Sequence, residues 1–239
     1  MRADTTSYYQ NNLNSFISKV FGLMFLGLIA TFLTAFAITY SFKYSPAVSL
    51  FFINNSWILF AIPIVEVILV FFISFAINSF SYSTLKFLFI LYSVLNGVTF
   101  SVVLLSFTGI TVMQAFLAAG VTFGVMAVFG ATTNKDLTGF GTYLIMALMG
   151  VLILSVINIF FTKSSGLDWA LCIAGLFLFI GLTAYDMQTL KNMYLNYCNG
   201  EMEESEGFKK VILMGALTLY LDFINIFLKF LQVFSRMDD

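Results

Sequence analysis

Seven long runs of apolar residues, separated by mostly short polar stretches, constrain this chain more than any other feature. They lie at about Phe16–Tyr40, Trp57–Ile77, Leu85–Phe107, Val112–Thr132, Gly139–Phe161, Trp169–Leu190 and Val211–Phe234. A hydrocarbon core of about 30 Å needs about 20 mostly apolar residues in a helix, and each run meets that length. Backbone N–H and C=O groups find no water in lipid, so only helices and closed barrels can cross it. Barrel strands alternate lipid-facing and lumen-facing residues, whereas these runs are continuously apolar. The expectation is an all-α membrane protein with seven transmembrane helices, forming one domain over residues 1–239.

Composition agrees. Charged residues make up 10% of the 239 and hydrophobic ones 60%, while a soluble domain carries about 25% charge. The net charge is −1, with no basic stripe or cluster, so nucleic acid is not an expected partner. There is no histidine, so the commonest general base, transition-metal ligand and near-neutral proton switch are all missing. Proton chemistry must then fall mainly on carboxylates. Cys172 and Cys198 have no metal-binding spacing and are expected to be unpaired thiols. No cofactor is expected. The first fifteen residues are polar and the following apolar run is too long for a signal peptide, so none is expected.

With seven spans the two termini lie on opposite sides. The side of the N-terminus collects Arg2, Lys86, Lys135, Lys191, Lys209 and Lys210, and the other collects Lys43, Lys163 and Arg236. This bias predicts a cytoplasmic N-terminus in the cell membrane. The stretch from Asn196 to Lys210, with Glu201, Glu203, Glu204 and Glu206, is expected to be a solvated loop. Gly120 and Gly124 have the spacing of a helix-packing pair, although glycine is common in membrane helices anyway. Trp57 and Trp169 are placed as interfacial anchors. Pro63 removes a backbone donor inside the second span, which predicts a kink.

Charges inside spans are rare and usually functional. Three acids sit at such positions: Glu66, Asp186 and Asp222. Asn96 and Asn158 add polar groups, and Lys19 and Lys229 are the intramembrane bases. Asp222, Asn225 and Lys229 share one face of the last helix, and Asp186 shares a face with Thr183 and Thr189. Two buried carboxylates that meet can share one proton, or offer oxygen ligands to a hard cation. Proton sensing coupled to cation passage fits these residues. Each acid could instead make a private hydrogen bond.

Enzymatic chemistry fits poorly. No HExxH, GxSxG with a histidine partner, or phosphate-binding loop is present. An intramembrane aspartyl protease also uses two membrane aspartates. Tyr185-Asp186 matches its first motif, but Leu219-Tyr220-Leu221-Asp222 does not match its second. The chain is not expected to be an enzyme.

The sixth run contains Gly181-Leu182-Thr183-Ala184-Tyr185-Asp186-Met187-Gln188-Thr189-Leu190-Lys191. This resembles the signature of the transmembrane Bax-inhibitor-motif family, in its bacterial branch. Thr132-Thr133-Asn134-Lys135-Asp136-Leu137-Thr138 resembles that family's loop between spans four and five. Leu95-Asn96-Gly97 and Leu219-Tyr220-Leu221-Asp222-Phe223-Ile224-Asn225 resemble its third and last helices. The resemblance implies a last helix central in the bundle and a pH-sensitive calcium leak. It implies that Asp186 and Asp222 form the proton-sensing pair and that Glu66 is the second-helix glutamate. Some members place an arginine about three turns after that glutamate. Here the region reads Ser74-Phe75-Ala76-Ile77-Asn78, with no base.

Run boundaries create a depth problem for the pair. Asp186 lies about 6 Å from the near end of its run and Asp222 about 17 Å from the same end of its own. A direct pair therefore needs the last helix to begin outside the bilayer and enter it near Leu217. The first reading is a calcium leak with Asp186 and Asp222 as gate and Glu66 and Asn225 along the ion path. The alternative is a non-conducting regulator that binds other membrane proteins.

Overall fold

A computed structural model describes residues 2–197 and 205–238, with side chains described over 12–195 and 205–237. Eight α-helices are described: α1 Arg2–Tyr44, α2 Pro46–Asn54, α3 Ile58–Ala76, α4 Tyr82–Leu105, α5 Gly109–Thr132, α6 Thr138–Ile157, α7 Ser165–Tyr197 and α8 Glu206–Asp238. All but α2 are long and apolar enough to cross a membrane, and no strand occurs among the described residues. The seventh span is the most enclosed: 67% of its central window is buried, against at most 39% in any other.

Of three departures from the sequence expectation, the first two share one cause. Hydropathy registers where a helix touches lipid, whereas the helix itself ends only where its backbone is broken. Thus α7 continues past Leu190 to Tyr197, through a stretch with no proline or glycine. Similarly, α8 begins at Glu206, so Glu206, Lys209 and Lys210 are helical and not loop residues. Ser205 starts that helix by accepting from the Phe208 backbone N–H at 3.2 Å. Glu201, Glu203, Glu204 and Cys198 lie outside the described residues. The third departure is α2, nine residues set between the first two spans, which no long apolar run announces.

The helices group into two compact units. The first comprises Met1–Thr108 and Tyr197–Tyr220; the second comprises Gly109–Asn196 and Leu221–Asp239. In the first unit, α1 packs along α4. Gly97 permits this approach: a Cβ there would stand 2.6 Å from the Thr31 carbonyl oxygen. Thr31 also joins three helices. Its hydroxyl donates to the Gly27 and Ser93 carbonyls at 3.0 and 2.9 Å, so the Tyr220 hydroxyl, 2.6 Å away, must donate to Thr31. Tyr220 is fully buried, with its ring edge-on to Phe89 and Tyr92.

In the second unit the close approach falls at Gly130 of α5, where a Cβ would collide with the Ala184 backbone of α7. Gly120 and Gly124 do not act as a packing pair within the chain, since a Cβ at either meets nothing within 4 Å. Asn158 is a turn-former and no part of a polar site. Its Oδ1 accepts from the Thr162 hydroxyl and the Ser164 N–H, both at 2.9 Å, closing a π-helical turn over Asn158–Thr162. Lys163, at φ 48°, then ends the helix in the left-handed region. Trp169 stacks beneath Arg236, which pairs with Asp168, while Trp57 is 65% exposed at the start of α3.

Candidate functional site

Asp186 and Asp222 come together in the second unit, one carboxyl from α7 and one from α8, within side-chain hydrogen-bonding range. Both helices run beyond their apolar segments, which narrows the difference in depth between these residues. Asp186 stands eleven residues before the end of α7 and Asp222 sixteen after the start of α8. Helical rise makes those about 16 and 24 Å, in place of the 6 and 17 Å that the apolar runs implied.

Asp222 is 5% exposed, and its Oδ2 meets no hydrogen-bond donor among the described residues. Asp186 is half-buried. Two carboxyl groups at this range either hold a proton between them or repel as like charges. Among the described residues, no arginine or lysine forms an ion pair with either.

The loop between α5 and α6 is fastened to α7 by Gln188, two residues on from Asp186 in the chain. Gln188, buried, uses both ends of its amide. Its Oε1 accepts from the Leu137 N–H at 2.8 Å, and its Nε2 donates to the Lys135 carbonyl at 2.7 Å. One turn on, Lys191 Nζ donates to the Ala131 carbonyl at 2.8 Å, near the C-terminus of α5, where a cation is favoured. Asp136 accepts from the Thr138 N–H at 2.9 Å at the start of α6. The Thr138 hydroxyl, and after it that N–H, hold the Asp136 carboxyl, which lies in the loop outside the spans, below the usual carboxylate range. Gln188 and Lys191 belong to the motif around Asp186, but nothing in their spacing reveals that they bind backbone 51 to 60 residues away.

The other site candidates make bonds of their own. Asn225 Nδ2 donates to the Leu221 carbonyl of its own helix at 2.8 Å, and Lys229 Nζ reaches Gln232 at 3.4 Å. Thr183 likewise bonds back, to Phe179. Cys172 is a buried free thiol, with its Sγ 3.7 Å from the Lys229 carbonyl. In the first unit, Glu66 of α3 accepts at Oε1 from the Thr99 hydroxyl of α4 at 2.6 Å. Thr99 was not singled out in the sequence, although it follows Asn96 by one turn.

Calcium takes six to eight oxygen ligands. No group of three or more acidic, histidine or cysteine side chains gathers among the described residues, and the pair offers two carboxylates. Such a pair can touch a passing cation, but by itself it falls short of a closed cage.

Comparison with known proteins agrees with the motifs. The family model "Inhibitor of apoptosis-promoting Bax1" matches residues 13–239. The chain is 38% identical to the inner membrane protein YbhL of Escherichia coli over 238 residues, covering 98% of this chain and 97% of that one. It is 38% identical to an uncharacterized protein of Borreliella burgdorferi over 223 residues, 93% and 92% of the two chains. It is 32% identical to an uncharacterized membrane protein of Streptococcus pyogenes over 237 residues, 98% and 99% of the two. A match over nearly the whole length, on a chain of seven membrane-spanning helices, places this protein in the Bax inhibitor-like family of membrane proteins.

Proposed function

We propose that this protein is a proton-regulated calcium leak channel of the cell membrane, with its N-terminus in the cytoplasm and no enzymatic activity. The observation that carries the reading is the Asp186–Asp222 carboxyl pair between α7 and α8, with Asp222 buried, Asp186 half-buried and no basic partner for either among the described residues. With one proton between them the carboxyls hold the two helices together. Losing it leaves two like charges in a low-dielectric setting, where their repulsion is strongest. The helices then separate and a path opens. Calcium is the cargo, met along the way by carboxylate oxygens. Glu66 lies along the path in this reading, and Asn225 stands one turn from Asp222 to line it.

The test is calcium flux into liposomes holding the purified protein, read with an enclosed dye across a pH series. Flux should rise with pH in the wild type. It should lose its pH dependence in Asp186→Asn and in Asp222→Asn, because neither retains a pair that can share a proton. Unchanged pH dependence in both variants would sink the gate. Absence of flux at every pH would favour a non-conducting regulator of other membrane proteins.

A further inference from the structure

Helix α2 is too short to cross a membrane, and none of its nine residues is buried. It holds no charged side chain, and Lys43 is the single charge between Lys19 and Glu66. Val48 and Phe52 are half-buried on one face, where the Phe52 ring stands 5.1 Å from that of Phe42 on α1. Pro46, Leu50 and Ile53, at i, i+4 and i+7, share the opposite face. Leu50 and Ile53 are 55 and 69% exposed, and Phe51 is 53% exposed. A helix apolar on both faces is built for immersion, and an exposed apolar face of this kind marks a surface that something apolar covers.

The polar groups of α2 and its flanks are met from within the chain. The Ser49 hydroxyl donates to the Pro46 carbonyl at 2.9 Å. Asn55 donates twice to the Phe51 carbonyl, from Nδ2 at 2.9 Å and from its backbone N–H at 3.0 Å. At the other end the Ser45 N–H donates to the Ser41 carbonyl at 2.8 Å, and Pro46, the first helical residue, has no N–H to satisfy. Lipid demands such internal bonding, whereas water supplies partners of its own.

Depth follows from chain lengths. Helix α3 has nineteen residues, a length of about 28 Å, so it needs all of itself to cross a hydrocarbon core of about 30 Å. Its start at Ile58 therefore lies at the edge of that core. Trp57, just before it, is exposed, as an aromatic at the membrane–water boundary is. Only Asn55, Ser56 and Trp57 separate α2 from α3, and only Ser45 separates it from α1. Tethered that closely at both ends, α2 lies along the hydrocarbon edge.

We propose that α2 is a membrane-seated helix whose outward face, formed by Pro46, Leu50, Phe51 and Ile53, docks on phospholipid acyl chains at the edge of the bilayer. This surface continues the lipid-facing one of the adjoining spans, where Tyr40 of α1 and Phe60 of α3 are exposed. The docking stands whether or not the protein conducts ions.

Solid-state NMR on isotope-labelled wild type in phosphatidylcholine bilayers tests this without a variant. Magnetisation from the acyl-chain methylene protons should reach the Leu50 and Ile53 methyls sooner than magnetisation from water. Arrival from water first would overturn the proposal. A nitroxide on the full chain in the same bilayers gives a second measure. It is attached through Leu50→Cys, with Cys172→Ser and Cys198→Ser so that no other thiol is labelled. Dissolved oxygen should relax the label severalfold more effectively than a water-soluble nickel chelate. The reverse order would put this face in water. A label shielded from both reagents would mean that a second copy of the chain covers it, and either result would overturn the proposal.

Discussion

The Asp222 carboxyl, 5% exposed and with no donor at its Oδ2 among the described residues, faces the Asp186 carboxyl of the neighbouring helix. The relationship makes the two side chains unequal to simple truncation. In Asp222→Asn an amide can still donate to Asp186, so the helix contact survives while the titration goes. In Asp222→Ala nothing replaces the partner. The alanine variant should unfold earlier than the asparagine one, by about 1–3 kcal/mol in a denaturant series in detergent. Equal stabilities would mean that the pair does not hold α7 to α8.

Glu66 should separate conduction from gating. Its carboxyl is bound by Thr99 in the first unit, while the aspartate pair belongs to the second. Glu66→Gln keeps the shape and removes the charge. Calcium flux at a fixed pH should change severalfold, while the pH of half-maximal flux stays put. The opposite pattern, a moved midpoint with unchanged maximal flux, would remove Glu66 from the ion path.

Gln188 should matter as a fastener. Replacing it by alanine leaves the Leu137 N–H and the Lys135 carbonyl without their recorded partner. Loss of one such buried bond costs about 1–3 kcal/mol. Amide hydrogen exchange at Leu137 should accelerate clearly in Gln188→Ala, with little change in α1. If Leu137 exchanges at its original rate, the loop is held by something else.

Glycines should divide sharply by position. Gly130→Ala forces a methyl into the Ala184 backbone and should destabilise by about 1–3 kcal/mol. Gly120→Ala and Gly124→Ala meet open space and should be neutral or slightly stabilising. Thermal unfolding of the three variants in the same detergent checks this, and a stable Gly130→Ala would contradict the close approach of α5 to α7.

Asp136 gives the acid-side signature of the loop. Its folded-state titration is lowered by the bonds from Thr138, so the charged form is favoured by folding. The contribution is present above the ordinary carboxylate range and lost as pH falls through the lowered value. Asp136→Asn should therefore flatten the loss of stability below about pH 4 without affecting it at neutral pH. A change confined to neutral pH would show that the carboxyl acts otherwise.

Membrane insertion, helix number and the identity of the polar spots were legible without coordinates. Lipid leaves a long apolar run no alternative to a helix, and a carboxyl inside such a run has few innocent explanations. The motif around Asp186 pointed in addition to a family, and through it to Asp222. Their contact was implied by the family alone and not by the residues. Hydropathy ended the sixth span at Leu190 and began the seventh at Val211, which set Asp186 and Asp222 at different depths. Helix continuation to Tyr197 and from Glu206 showed that the apolar runs do not mark the helix ends, because backbone hydrogen bonding continues past the edge of the lipid. Gln188, Thr99 and Tyr220 carried no signal of their own, since an amide or hydroxyl has no preferred sequence distance to a partner 33, 51 or 189 residues away. Gly120 and Gly124 had the spacing of a contact and face open space, while Gly130 lacked it and is the contact. The amino-acid sequence by itself determined that this chain lives in lipid as seven helices with three acids inside. Only the tertiary structure decided which acids meet, because pairing depends on where each helix ends and how closely two backbones approach, and neither is a property of a single run.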